Sequence, residues 1–314
     1  MKRRDFLNAS AMLLPATLIA CGGSPKTEAP AQASITGLGP ERLEKFGLQL
    51  STVTALMLQD FEGTLKRVAE IGYQQVEFSA LGFLGRGVGE IQTLLKKYQL
   101  EAPVGRVSSR LPENFATLTR EEQIAVYRER AKIEHFLDNV VFSLEAAVAL
   151  EQKYLILPAL RPDRFKTLDQ VKANIELLNQ ATALCQKQGV MFGYHNHNWE
   201  LTPIDDVVPY DLMLESTDSK AFTFQLDAYW IVKGGGELSD YLSRYPGRFS
   251  SCHMKDIDAT GDFEDVGHGL IDFPKFTREA LAAGAEYFFV ERDNPPNPAE
   301  AIQRSYTYLK QMTF

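Results

Sequence analysis

The chain has 314 residues, 45% hydrophobic and 24% charged, which is material for one large globular domain or two small ones. A formal net charge of -8 and a pI near 5.3 are the wrong sign for a surface that neutralises nucleic-acid phosphates, so no nucleic-acid partner is expected. Three cysteines are too few for a disulfide framework.

The first residues read as an address, separate from the fold. A basic start with Arg3, Arg4, Phe6 and Leu7 leads into the apolar run AMLLPATLIA, which is shorter than the ~20 residues of a spanning helix. The Arg-Arg-x-Phe-Leu order resembles a twin-arginine signal, and Leu18-Ile19-Ala20-Cys21 resembles a lipobox. Residues 1–20 are therefore expected to be a cleaved signal, Cys21 the lipidated residue, and 21–39 a flexible tether rich in Gly, Ser, Pro and Ala. This predicts an exported, periplasmic lipoprotein that meets the membrane only through its lipid anchor.

From residue 40 to 314 short apolar runs alternate with longer amphipathic ones. The runs read as strands are 46–53, 75–79, 102–109, 153–160, 190–197, 222–229, 248–255 and 286–293. Between the first two, residues 60–72 carry Phe61, Leu65, Val68 and Ala69 on one helical face, with Gly72 as the stop. Residues 110–150 are long for one connection and predict two helices, and 167–189 predicts a helix capped by Thr167 and stopped at Gly189. Eight such alternations over a domain near the ~250 residues typical of the fold predict a closed (β/α)8 TIM barrel. A doubly wound open sheet is the runner-up, but no Gly-x-Gly-x-x-Gly follows the first run.

In such a barrel the chemistry sits where the strands end. The second run ends with Glu77, the fifth with His195 and His197, the sixth with Asp227, the seventh with His253, Lys255 and Asp256, and the eighth with Glu291 and Asp293. His195, Asp227, His253 and Glu291 come from four consecutive strands, and two imidazoles with two carboxylates suit one divalent ion such as Mn, Co, Zn or Mg. His195 and His197 share a strand face, so either can supply the fifth-strand ligand. Glu77, Trp230 and His268 are candidate contacts to a sugar ring, and Arg161 with Arg164 a candidate anion contact. Lys255 either polarises a substrate oxygen or is a solvated lysine paired with Asp256.

The segments QLDAYWIVKGG, HMKD, EDVGHGLIDFPKF and FFVERD resemble the sugar phosphate isomerase and epimerase-like family of xylose isomerase-like TIM barrels. GLQLSTV, EGTLKRVAEIGYQQVEF and YHNHNWE extend the likeness over nearly the whole domain. The resemblance implies one divalent ion on Asp227, His253, Glu291 and a fifth-strand ligand, with proton exchange next to the carbonyl of a sugar or cyclitol. The sequence departs from it in placing His195 where epimerase relatives have a glutamate, with Glu200 lying further on. There the Tyr-His-x-His pattern looks like the inosose dehydratase branch. A second departure is Arg110 in VSSR, where many relatives have histidine.

Glu291 is the expected base, with His195 or His197 returning a proton near their ordinary pKa of about 6.5. Return to carbon gives an isomerase or epimerase, the leading reading, and return to a leaving oxygen gives a lyase or dehydratase. A non-catalytic sugar-binding lipoprotein is the third. The apurinic-endonuclease branch is disfavoured by acidity, export and the small ligand set. Export also implies an unphosphorylated sugar, cyclitol or keto-glycoside.

Overall fold

The structure is a computed structural model that describes residues 41–314. The expected signal, Cys21 and tether lie outside the described residues. Eight parallel strands are present: β1 (Gly47–Gln49), β2 (Gln75–Glu77), β3 (Val104–Arg106), β4 (Tyr154–Leu157), β5 (Met191–His195), β6 (Phe222–Asp227), β7 (Phe249–Met254) and β8 (Tyr287–Val290). They run in the order β2, β1, β8, β7, β6, β5, β4, β3. β2 and β3 do not pair along their length. They are stitched at one end, where Val76 N–H donates to Glu101 O at 2.8 Å and Glu101 N–H to Gln74 O at 2.9 Å. The result is a nearly closed barrel of the predicted class.

Side-chain alternation splits the apolar residues between two layers. Val104, Tyr154, Ile156 and Phe289 fill the barrel interior, while Leu48, Val76, Leu155, Phe192, Phe224 and Val290 point outward to the helices. Interior space is tight: a Cβ on Gly47 would lie 2.4 Å from the Phe289 ring, so only glycine fits at that point of β1. The outer layer is closed by helices whose ends the sequence marks. Phe61–Ile71 is capped by the Asp60 side chain and ended by Gly72 at φ 116°. Leu168–Gln186 starts with a reciprocal Thr167/Gln170 capping box. The two helices expected in 110–150 are Arg120–Arg130 and Phe136–Ala149.

The strands are shorter than their apolar runs, because the runs continue into the loops that carry the site. Leu50–Val53, expected as strand, is a turn of 3-10 helix whose Ser51 N–H is accepted by the Gln49 side chain at 2.6 Å. Between β6 and β7 the register slips by one residue, pairing Phe224 with Phe249 but Gln225 with Ser251. After β7, Asp256–Ile257 and Phe263–Glu264 form a small antiparallel hairpin at the rim. Among the described residues no helix is long and apolar enough to cross a membrane.

Candidate metal centre and active site

Strand ends β5 to β8 bring His195, Asp227, His253 and Glu291 together, with one donor atom from each within 4.8 Å of the others and all four buried. Beneath them lies a polar relay. Arg106 NH1 donates to Gln225 Oε1 at 2.5 Å, and Gln225 Nε2 donates to Glu77 Oε1 and Ser251 Oγ, each at 3.1 Å. Arginine can only donate, so these contacts fix the Gln225 amide with its oxygen towards Arg106. His195 Nδ1, 3.1 Å from the same oxygen, must therefore carry its proton, and His195 Nε2 is left as a lone pair.

That lone pair faces Asp227 Oδ2 at 3.8 Å. Asp227 Oδ1 accepts from Trp230 N–H at 2.9 Å, but Oδ2 is buried with no hydrogen-bond partner. An unpartnered carboxylate oxygen facing an imidazole lone pair in a dry interior, with Lys255 Nζ at 3.9 Å and His253 Nδ1 at 3.7 Å from the same oxygen, is a place that a divalent ion would fit. His253 completes the set: Nε2 donates to Glu77 Oε2 at 2.6 Å, while Nδ1 lies 2.8 Å from Glu291 Oε2 and 3.7 Å from Asp227 Oδ2. Glu77 thus orients the ring as carboxylates do behind metal-binding histidines. The residues fit a divalent ion by donor type, spacing and supporting shell.

The charges agree. Burial, reinforced by Arg106 and His253, holds the His195 imidazolium well below its ordinary range. Burial pushes His253 down too, but the carboxylates of Glu291 and Glu77 outweigh it and hold His253 well above that range, so an ion would have to displace the Nδ1 proton that faces Glu291. Burial pushes Glu291 up, yet Lys255 and His253 beside it carry its carboxyl well below the usual range. Lys255 is buried, with Nζ 3.1 Å from Glu291 Oε2, 2.8 Å from Asp293 Oδ2 and 3.9 Å from Asp227 Oδ2, so its ammonium is favoured despite desolvation. Ser51 Oγ donates to the other Glu291 oxygen at 2.7 Å.

The sequence profile of the xylose isomerase-like TIM barrel family matches residues 65–312. The chain belongs to that family. Among curated relatives of this xylose isomerase-like barrel, an inosose dehydratase of Geobacillus kaustophilus is 23% identical over 267 residues, covering 78% of this chain and 83% of that protein. One of Clostridium perfringens is 25% identical over 271 residues, covering 76% and 88%. Among solved structures, a sugar phosphate isomerase/epimerase from Parabacteroides distasonis superposes with a TM-score of 0.68 at 22% identity, covering 88% of this chain and 96% of that one. A 3-keto-D-glucoside 4-epimerase of E. coli gives 0.63 at 17% identity over 85% and 99%. The IolI protein, solved with a zinc atom, gives 0.62 at 13% over 84% and 95%. The structural likenesses establish the fold.

Within this xylose isomerase-like barrel the remaining candidates separate. His197 lies 5.0 Å from the His195 ring but is not among the four donors: its ring stacks on Trp199 at 4.2 Å and tilts against Trp230 at 5.0 Å. Burial lowers its pKa to about 3, so neither histidine is poised near 6.5 as the sequence suggested. Trp230, Tyr229 and Phe263 form an aromatic wall whose rings lie 5.1, 5.9 and 5.0 Å from Lys255 Nζ.

Lys255 is therefore not a solvated partner of Asp256. Asp256 instead accepts the amides of Ile257, Gly267, Gly269 and Ile271 and shapes the following loop. Glu77, expected to touch substrate, is fully enclosed with both oxygens bonded inside the protein, which makes it a positioning residue. Glu200 is also buried, accepting from Tyr194 Oη and from His197 N–H at 2.9 Å, so it is turned away from the centre.

His268 is exposed in the loop after the hairpin, where only its backbone N–H is bonded, to Asp265 O. Arg161 is exposed and paired with Asp163 at 3.3 Å, while Arg164 bonds Asn174 at 2.7 Å, so neither joins the centre. Cys185 and Cys252 are buried free thiols. Gln225, Arg106 and Ser51 were missed. Gln225 and Arg106 could have been found by counting two residues back from Asp227 and from Ser108 along the inward faces.

Proposed function

We propose that the chain is a divalent-metal-dependent enzyme that removes a proton next to the carbonyl of an unphosphorylated keto-sugar, keto-cyclitol or keto-glycoside and then eliminates, as a lyase of the dehydratase type. The observation that carries the metal is the confrontation of His195 Nε2 with Asp227 Oδ2 at 3.8 Å. A divalent ion held by His195, Asp227, His253 and Glu291 would supply Lewis-acid polarisation of a substrate carbonyl, worth several kcal/mol.

The chain's own residues provide the rest. Glu291 is ionised and presents Oε1, whose partner is the hydroxyl of Ser51, to accept the proton. Lys255, cationic and buried beside it, donates to the departing oxygen. Trp230 and Phe263 offer aromatic faces to the sugar ring and exclude water. Elimination is preferred to epimerisation because the fifth strand brings a neutral imidazole where a second carboxylate would be needed, Glu200 being turned onto Tyr194. The two inosose dehydratases support the same preference.

We also place the enzyme outside the cytoplasm on a lipid anchor, a reading supported by Arg3-Arg4 and the Leu18 to Cys21 motif. The test is mass spectrometry of keto-inositols and 3-keto-glucosides incubated in deuterated water with tether-free protein and Mn or Co. Loss of water or aglycone that disappears in Glu291→Gln supports elimination. One deuteron gained at otherwise unchanged mass turns the reading to epimerisation, and binding with no chemistry turns it to a sugar-binding protein.

A further inference from the structure

Phe263, which faces Lys255 in the aromatic wall, stands on a strand of two residues. Its sheet partner among the described residues is Asp256–Ile257, with Ile257 opposite Phe263 and Asp256 opposite Glu264. A two-stranded hairpin this short does not hold its own shape in water, so the place of the ring has to be set from outside. Tyr229 Oη ties the tip, donating to Gly261 O at 3.0 Å, but that contact comes before the strand that carries Phe263.

The outside hold is Arg292. Glu291 and Arg292 follow each other past the end of β8 and their side chains diverge, Glu291 into the centre and Arg292 to the hairpin. Arg292 Nη1 donates to Glu264 Oε1 at 3.0 Å and to Asp265 Oδ1 at 2.5 Å, while Nη2 donates to Phe263 O at 3.1 Å. The backbone at its root is pinned as well, since Arg292 N–H donates to Thr52 Oγ1 at 3.0 Å. A planar fork that meets acceptors on three successive residues fixes the direction of that strand, whereas a single ammonium would fix one point of it. Arg304 Nη1 lies 2.7 Å from Asp265 Oδ2, so Asp265 keeps a counter-charge without Arg292. The Phe263 ring held in this way lies 4.5 Å from the Tyr229 ring, 5.8 Å from that of Trp230 and 5.0 Å from Lys255 Nζ.

We propose that Arg292 is a positioning residue that seats Phe263 as a substrate-binding wall, so that the base and the wall are set by adjacent residues of one strand end. The kinetic part of this inference rests on the enzymatic reading above; the structural part does not. An aromatic wall holds a sugar ring by contact and burial, which serve substrate and transition state alike, so its displacement appears in KM and leaves kcat in place.

The test joins tryptophan emission, which needs no substrate, to steady-state kinetics on the keto-inositol or 3-keto-glucoside that the protein turns over. Trp199 and Trp230 are the two tryptophans of the chain, and Trp230 meets the Phe263 ring edge-on, so the emission reports on the wall. Arg292→Met keeps the aliphatic stem; it retains the parental circular dichroism and Mn affinity, raises acrylamide quenching of the emission, and raises KM by ~10-fold with kcat within ~2-fold. Phe263→Leu, with the clamp intact, gives the same two changes, and adding Arg292→Met to it raises KM no further. Parental quenching in either single variant, a fall in kcat at unchanged KM, a parental KM in Phe263→Leu, or additive KM effects in the double variant each overturns the proposal. Absence of turnover in the parent protein would count against the enzymatic reading alone, and the emission would still decide the clamp.

Discussion

Replacing Glu77 by Gln tests the electrostatic anchor of the centre with an almost isosteric change. Glu77 is fully buried and serves three donors: His253 Nε2 at 2.6 Å, Gln225 Nε2 at 3.1 Å and Arg106 NH1 at 3.4 Å. A glutamine keeps one acceptor oxygen and turns an amide towards donors, so it converts one short charge-assisted bond to a neutral one and leaves Arg106 short of a counter-charge. Breaking a buried charge pair in this way costs ~3–5 kcal/mol of stability. Loss of the carboxylate behind a metal-binding histidine lowers metal affinity by roughly 10- to 100-fold. Urea unfolding monitored by circular dichroism and calorimetric titration of Mn into the metal-free protein read the two effects separately. A Glu77→Gln protein within ~1 kcal/mol of the parent and with parental Mn affinity would refute the reasoning, because a solvated surface carboxylate would behave in that way.

Burial pushes the Glu200 carboxyl from 4.5 up to about 7, so between those pH values the folded state holds the proton more tightly than the unfolded one. Stability therefore falls as pH rises through that window, by ~3 kcal/mol in all, and Glu200→Gln flattens the slope in urea unfolding at pH 5 and pH 8. Lys255→Met removes the cation that helps keep Glu291 ionised; turnover is expected to drop ~100-fold or more, and the acid limb of the pH–rate profile to move to higher pH. An unmoved acid limb would take Lys255 out of that role. Gly47→Ala puts a methyl 2.4 Å from the Phe289 ring and should cost ~1–3 kcal/mol, read as a lower thermal midpoint without loss of metal binding.

The architecture was legible because parallel strands buried on both sides leave near-continuous apolar runs, and helix caps such as Thr167 and Gly72 punctuate them. Strand ends were overrun wherever an apolar run kept going after the pairing stopped, as at Leu50–Val53. The four donors were legible from their place at consecutive strand ends. Their supports were not: Gln225 and Arg106 are ordinary polar residues until the barrel curls and sets them beside His195 and Glu77. Lys255 misled for the same reason. Its solvated reading needed only its neighbour Asp256, whereas its actual partners Asp227, Glu291 and Asp293 lie on other strands. Choosing between His195 and His197 required the Trp199 ring, which claims His197 by stacking.

The one-residue slip between β6 and β7 has a bearing on how this barrel can change over time. Counting by twos from Phe249, which packs outward, puts Ser251 and His253 outward as well; the extra residue at Ser250 shifts the phase by half a period and turns them inward. The identity of the seventh-strand donor is thus set by parity as much as by sequence. If that slip were lost with the sequence unchanged, Cys252 and Met254 would face the centre in place of His253 and Lys255, exchanging nitrogen donors for sulfur. A single insertion or deletion in this stretch is therefore a change of chemistry, whereas the same event a few residues away, in the rim loops, alters only length.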